Sequence, residues 1–433
     1  MKNILLCSLS AAATLSIAPA VASVDFDFGA DLRVREELFE NIPGTTGGGQ
    51  PKTAATRFNN VFRFRPRVWG ELKLDTEDAG AWRLYARLAD EFRWNVEPYK
   101  NSNSWPGEAI LDNLFIEGKG LFDGLLDVSF GRQDIWNHGG FVRVFVDGTP
   151  GDGSRTIYGD LASLVFHTDE DSTLELFGLY NFDSDRDFRF GYDYQRYSSL
   201  TARYPDGSGH QDDWGYGAIW SSKFAGGLGY RLIAAQKNSL HPGDARRHTE
   251  VFGGQISPRW SDELTSEFEI LGEMHNEWSA YADICWKSAR EGIRPYVSAS
   301  YRFMSRDWDP MWARAVNDSE SFLYGPLQGV AWWSNMHLFK LTAGLDFGRH
   351  HFVALTTGPM FSAENDGVGG GDGHFKGYLS QLRYNFPLLL ADREKGERFE
   401  IVGHAIIELF NPGDYYESDK PAWFFRWQLE FKF

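Results

Sequence analysis

From Val24 to Arg35 the chain alternates with period two. Val24, Phe26, Phe28, Ala30, Leu32 and Val34 fall on one side of an extended strand, and Asp25, Asp27, Gly29, Asp31, Arg33 and Arg35 on the other. Successive strand residues point to opposite faces. A run of this length exceeds what a globular strand needs and approaches what a tilted strand needs to cross a bilayer. In RFNNVFRFRPRVWGELKLDT, Phe62, Phe64, Pro66, Val68, Gly70, Leu72 and Leu74 alternate with Arg63, Arg65, Arg67, Trp69, Glu71 and Lys73. AWRLYARLADEFRW repeats the pattern with Arg83, Arg87, Glu91 and Arg93 on its polar side. GIRPYVSASYRFMSR repeats it with Arg294 and Arg302.

Eighteen segments read this way: 24–36, 57–75, 81–94, 110–119, 125–134, 160–168, 172–181, 212–223, 228–237, 248–259, 263–273, 277–288, 292–304, 335–346, 350–361, 374–388, 397–410 and 422–433. Their connections alternate long and short. ENIPGTTGGGQPKTAAT, NVEPYKNSNSWPGEA and the stretch through DGTPGDGSRT are long, whereas TEDAGA, LFDG, TDEDS, FAGG and DFGRH are tight; only the sixth long-side loop, near MHNE, is short. Long loops on one rim and tight turns on the other mark an outer-membrane barrel. The predicted fold is therefore all-β, a transmembrane antiparallel up-and-down barrel of about eighteen strands, with periplasmic turns and extracellular loops. An even count returns both termini to the periplasmic rim. The last strand, PAWFFRWQLEFKF, then pairs with the first, because unpaired backbone groups in hydrocarbon cost several kcal/mol each. Trp423, Phe425, Trp427, Leu429, Phe431 and Phe433 become its lipid face.

Composition agrees. Aromatics make up 16% of the chain, yet mean hydropathy is −0.40. No stretch approaches the roughly 18 apolar residues of a spanning helix. MKNILLCSLSAAATLSIAPAVAS has Lys2, an apolar run and small residues at Ala20 and Ala22, the features of a cleavable secretory signal. Residues 1–23 are read as that signal and 24–433 as one barrel domain. The mature chain keeps Cys285 alone, so no internal disulfide holds it. Without Lys2, 42 basic residues face 60 acidic ones, and the net charge moves from −17 to −18. Such a balance excludes a nucleic-acid binder. It says nothing about where each sign sits.

Catalytic and metal motifs are few. NDGVGGGDG, 365–373, lies between two strands rather than between strand and helix, and so is a loop tip, not a phosphate cradle. Asp183, Asp185 and Asp187 in FDSDRD offer calcium ligands but lack the later positions of an EF-hand loop, and a solvated acidic loop is the plainer reading. His138 follows Asp134 by four residues in a loop, too little for a hydrolase site. No cofactor is implied.

The chemistry lies in the arginines. Arg33, Arg35, Arg63, Arg65, Arg67, Arg83, Arg87 and Arg93 share the polar parity of neighbouring strands, joined later by Arg294 and Arg302. On the lipid side an arginine costs about 2 to 4 kcal/mol at mid-depth, so parity turns them into the lumen. There they either line a track for carboxylates, which guanidinium binds bidentately, or pair with acids such as Asp25, Asp27, Asp31, Glu71 and Glu91 as scaffolding.

At this point the chain resembles the alginate export family of Gram-negative outer-membrane porins. The likeness covers nearly the whole mature chain. It rests on RFRPRVWGELKL, LADEFRW, the stretch FGRQDIWNHGGFVRVFVDGTPGDGSRTIYGD, and RDWDPMW to FLYGPL. It implies an arginine-lined channel for an acidic polysaccharide, narrowed by infolded loops. Arg65, Arg67, Arg87, Arg93 and Arg132 are then lumen or constriction groups, with Arg143 and Arg155 on the third loop. Arg132 shares the parity of Leu126, Val128 and Phe130, so it faces inward only if a bulge near Gly131 flips the register or the strand has already left the membrane.

The reading that follows is a passive channel for acidic oligo- or polysaccharides or organic acids. The alternatives are a general or neutral-carbohydrate porin and, less favoured, an outer-membrane enzyme. Its expected partners are outer-membrane lipid, the anionic solute and, during biogenesis, the barrel-assembly machinery.

Overall fold

In the computed structural model the described residues are 21–43, 58–76, 80–90, 92–97, 109–133, 159–181, 189–190, 213–224, 227–239, 248–274, 276–308, 311, 335–367, 369–392 and 396–433. Residues 1–20, the bulk of the expected signal, lie outside them. So do Asp134, His138, Arg143, Arg155 and the FDSDRD aspartates.

The described chain is one antiparallel sheet closed on itself. Its first wall is β1 (Val21–Glu40), β2 (Asn59–Thr76), β3 (Gly80–Ala89), β4 (Phe92–Glu97), β5 (Ala109–Gly120), β6 (Leu126–Gln133), β7 (Gly159–Asp169) and β8 (Ser172–Asn181). After the two-residue β9 (Arg189–Phe190) come β10 (Asp213–Lys223), β11 (Gly229–Ser239), β12 (His248–Ser257), β13 (Leu264–Glu273), β14 (Trp278–Lys287) and β15 (Arg294–Met304). β16 (Met336–Gly348), β17 (His351–Phe361), β18 (Phe375–Leu389), β19 (Glu400–Pro412) and β20 (Ala422–Lys432) complete the circuit. β3 and β4 are two parts of one crossing, both laddered to β2, and β9 is a short pairing on β5. The wall therefore has eighteen strands, at the eighteen places the alternation marks.

Closure is between β1 and β20, paired from Asp31–Lys432 to Glu40–Trp423. The Phe433 N–H donates to the Ala30 carbonyl at 2.8 Å at the seam's foot. Phe433 itself is exposed, on the lipid face expected of it. Outward positions are apolar and uncovered around the circumference, with Phe26, Val68, Leu84, Ile116, Leu232, Ile270, Leu341 and Leu355 among them. An apolar belt on a closed sheet with no free edge is the solution a bilayer imposes on strands. No described helix is long and apolar enough to cross a membrane. The tight turns gather on one rim, including the four-residue turn Leu121–Gly124 and Glu170–Asp171.

Small residues let rings cross the ladder. A Cβ on Gly29 would meet Trp69 Cζ2 at 2.6 Å, so the indole of β2 lies over the bare backbone of β1.

The inner face departs from a uniformly polar expectation. Phe39, Leu161, Phe177, Leu179, Val251, Leu271, Met304, Leu338, Met360, Leu379, Phe410 and Phe424 point inward near the extracellular ends of their strands and are buried. Together they form an apolar collar inside the barrel. Trp308 and Met311, from the connection after β15, pack into the same cluster, and Lys237 Nζ on β11 donates to the Met311 carbonyl at 2.9 Å.

Candidate functional site

Below the collar the inner wall turns polar, and register stacks the arginines. Arg93 on β4 lies opposite Arg63 on β2, and Arg63 opposite Arg35 on β1, so one row carries a guanidinium on three neighbouring strands. In the next row Arg65 faces Arg33. Like charges directly opposite in a sheet destabilise it. The row is tolerated because Glu37, one step toward the collar, enters it: its Oε2 is 2.9 Å from Arg63 Nε, its Oε1 3.3 Å from Arg35 Nη1 and 3.9 Å from Arg426 Nη1, and Arg93 lies within its electrostatic reach. Arg35 also donates from Nε and Nη2 to Gln428 Oε1, at 2.9 and 2.7 Å. Glu430 plays a similar part below, facing Arg65, Arg33, Lys432 and Arg67. Along this arc Arg33, Arg35, Arg63, Arg65, Arg67, Arg93 and Arg426 gather around Asp31, Glu37 and Glu430. Arg33, Arg35, Arg65 and Arg426 are at most 2% exposed.

Arg67, Arg83, Arg87 and Arg294 lie beside acids. Arg67 Nε donates to both Asp31 oxygens at 2.9 Å. Arg83 lies 2.9 Å from Glu71 and 3.7 Å from Glu117, with its guanidinium over the Tyr85 and Phe115 rings. Arg87 is held by Asp112. Arg294 shares Asp346 with Lys287 at the periplasmic rim, at 2.9 and 2.7 Å. Arg302, on the far wall, is buried with its guanidinium over Tyr281.

Arg132 departs from its expected place. The ladders β5–β6 and β6–β7 run without a register shift through it, pairing it with Leu114 and Asp160, so it keeps the row of Val128 and Phe130. It is nonetheless buried, because Nε and Nη2 bind the Asp160 carboxylate at 3.1 and 3.2 Å and Nη1 donates to the Leu111 carbonyl. It clamps the wall and does not line the lumen. What bends there is the backbone. Gly131 has φ +122°, and Ser129 Oγ reaches Gln133 Oε1 across it at 3.0 Å.

Two charged groups escape the alternation because bulges turn them in. Between Arg87–Asn113 and Leu88–Leu111 the β3–β5 ladder skips Asp112, and between Met360–Gly377 and Phe361–Phe375 the β17–β18 ladder skips Lys376. By parity each belongs with the outward row, yet both are buried. Arg426 and Glu37 were also missed: the first sits between ring-bearing neighbours in FFRWQ, the second beyond the predicted end of the first segment.

No family model matches the chain, and no curated protein does. Solved barrels do match in shape. Acinetobacter baumannii OccAB1 superposes with a TM-score of 0.56, covering 94% of this chain and 96% of its own, at 10% identity. Pseudomonas aeruginosa OpdL gives 0.55, with 94% and 99% covered at 10% identity. Pseudomonas aeruginosa OprD gives 0.54, with 94% and 95% covered at 10% identity. The chain is an eighteen-stranded outer-membrane β-barrel with the fold of these OprD and Occ porins. These neighbours support a porin barrel and give no support to the finer resemblance to the alginate export family drawn from the loop and arginine motifs.

Proposed function

We propose that the protein is a passive outer-membrane channel for small carboxylate-bearing solutes. The observation that carries this is the like-charge row, Arg93–Arg63–Arg35, with Arg33–Arg65 beneath it. A wall selected for stability alone would separate these charges. A permanent field of guanidiniums attracts carboxylates into the barrel and offers them successive partners, none of which must hold firmly for the solute to pass. Cargo size follows from burial. The central arginines are enclosed and the collar narrows the extracellular end, which supports organic acids or single sugar acids over a polymer.

The test is ion selectivity. In planar bilayers under a KCl gradient the intact barrel should prefer anions, and Arg63→Gln with Arg65→Gln should reduce that preference; a cation-preferring intact barrel overturns the reading.

A second reading, a general channel for small solutes, draws on the pairing of Arg67, Arg83, Arg87 and Arg294 with acids, which leaves much of the wall neutral. Equal liposome swelling with neutral and acidic solutes of one size would favour it.

A further inference from the structure

Lys376 is the second residue of β18, at its extracellular end, and the bulge opposite Met360 and Phe361 takes it out of the outward row. It is 1% exposed. Its ammonium lies 5.0 Å from the centre of the Tyr415 ring, in the connection 413–421 that folds back over the collar, where Tyr416 meets Phe410 edge-on at 6.1 Å. That connection is tied down by backbone bonds from Gly413 N–H to the Lys376 carbonyl and from Tyr415 N–H to the Phe375 carbonyl, both at 3.0 Å. The acid in the neighbourhood is Asp366, and its oxygens are already engaged. The Tyr415 hydroxyl donates to Oδ1 at 2.8 Å, and Asn335 Nδ2 donates to Oδ2 at 2.8 Å. Burial, with Asp366 beside it, pushes the Tyr415 hydroxyl's pKa upward, so this donor stays in place.

Lys376 thus differs from the paired arginines of the wall. No hydrogen bond or ion pair reaches its Nζ among the described residues; a ring face and a longer-range attraction to Asp366 are what it has. An ammonium carries three donors, and leaving them unfilled in a buried place is costly. Against the 25 or so cal/mol per Å² that its apolar stem gains by burial, a methionine in the same bulge would do better, unless the charge has work to do.

We propose that Lys376 is an anion-receiving site at the extracellular end of the lumen, on the opposite side of the collar from the arginine row, and that its ligand is the carboxylate of the transported solute. This rests on the channel reading above and adds a step to it. Once the 413–421 connection that covers it moves aside, a solute meets Lys376, crosses the collar with its apolar part against Leu379, Phe410 and Met360, and is received by Arg426 and the guanidiniums below.

The experiment uses the full-length barrel in planar bilayers and liposomes, with succinate as probe and succinamide as its neutral match. Lys376→Met should weaken the concentration dependence of succinate block from the extracellular side about tenfold, the loss of one charge-assisted bond, and should leave succinamide swelling unchanged. Lys376→Arg should retain the block. Heat-shifted electrophoretic mobility verifies that each variant is a folded barrel, and Lys376→Gln serves if the methionine variant is not. An unchanged succinate block in Lys376→Met overturns the assignment, as does an equal change for succinate and succinamide, which marks a packing role. If the wild-type barrel does not distinguish the two probes, the channel reading fails as well; if it does and the variant matches it, only Lys376 is wrongly assigned.

Discussion

The guanidinium of Arg87 grips the carboxylate of Asp112 with two nitrogens, Nε to Oδ1 and Nη2 to Oδ2, both at 3.0 Å. The pair is buried, Asp112 completely, and it exists because one residue is skipped in the β3–β5 ladder. Flat alternation would have sent Asp112 toward the lipid with Leu114 and Ile116.

Removing one partner should therefore cost more than removing both. Asp112→Ala leaves a buried guanidinium without its carboxylate and should destabilise the barrel by about 3 to 5 kcal/mol, whereas Arg87→Met with Asp112→Leu should cost less than the single change. Urea unfolding in detergent, followed by tryptophan fluorescence, measures both.

Glu37 is the carboxylate shared by Arg35, Arg63 and Arg426. Glu37→Gln removes a negative charge from the arginine row while keeping its size, so the anion-to-cation permeability ratio should rise and stability should fall by about 3 kcal/mol. Reversal potentials under a KCl gradient read the first effect. It should weaken as salt rises and screens the field.

Gly131 lies where φ is +122° and where a Cβ would stand 2.3 Å from the Leu114 carbonyl oxygen. Gly131→Ala cannot be accommodated without moving β5 or β6. Left-handed strain alone costs of order 1 to 3 kcal/mol, and the clash adds to it. A fall in the heat-modifiable, assembled fraction on refolding into detergent is the expected result. The neighbouring Arg132→Met should also lose assembled protein but leave selectivity unchanged, since its charge is taken by Asp160.

Lys237 on β11 holds the carbonyl of Met311, and through it the segment bearing Trp308, across the inside of the barrel. Lys237→Met should weaken that hold by about 1.5 to 3 kcal/mol. Single-channel traces should then show larger and more frequent conductance excursions than the wild type, with unchanged sign of selectivity. Quiet traces of wild-type amplitude would show that the anchor does not restrain the passage.

The architecture was legible because a barrel writes one rule on every crossing: period two over ten or more residues, then a turn whose length depends on the rim. The rule located all eighteen crossings, including the short sixth long-side connection at Met274–Glu277. It served the site less well, because parity fails wherever the ladder slips. A parity count cannot see a bulge and so puts Asp112 and Lys376 in the lipid row, while Arg132, which could face inward only if a bulge near Gly131 flipped the register or the strand had left the membrane, stays on its original row. Nor does a single sequence say which inward cations have an acid beside them. Arg67 beside Asp31 and Arg87 beside Asp112 read the same as Arg63, which shares Glu37 with Arg35 and Arg426, until the neighbouring strand is in register. The collar was hidden for a different reason. Phe39, Phe177, Phe410 and Phe424 are apolar on the side assigned to water, and they look like errors in the pattern until Trp308, Met311, Tyr415 and Tyr416 join them in one buried cluster.

The hairpin β1–β2 carries Arg33, Arg35, Arg63, Arg65 and Arg67 on a single surface. Threaded alone into hydrocarbon, that surface would set five permanent charges against acyl tails, at about 2 to 4 kcal/mol apiece near mid-depth. Stepwise insertion, hairpin by hairpin, is thereby closed to this polypeptide. Its strands must curl around a wet interior before or while they enter, and the last of them, carrying Arg426 and Glu430, must arrive before the first can rest.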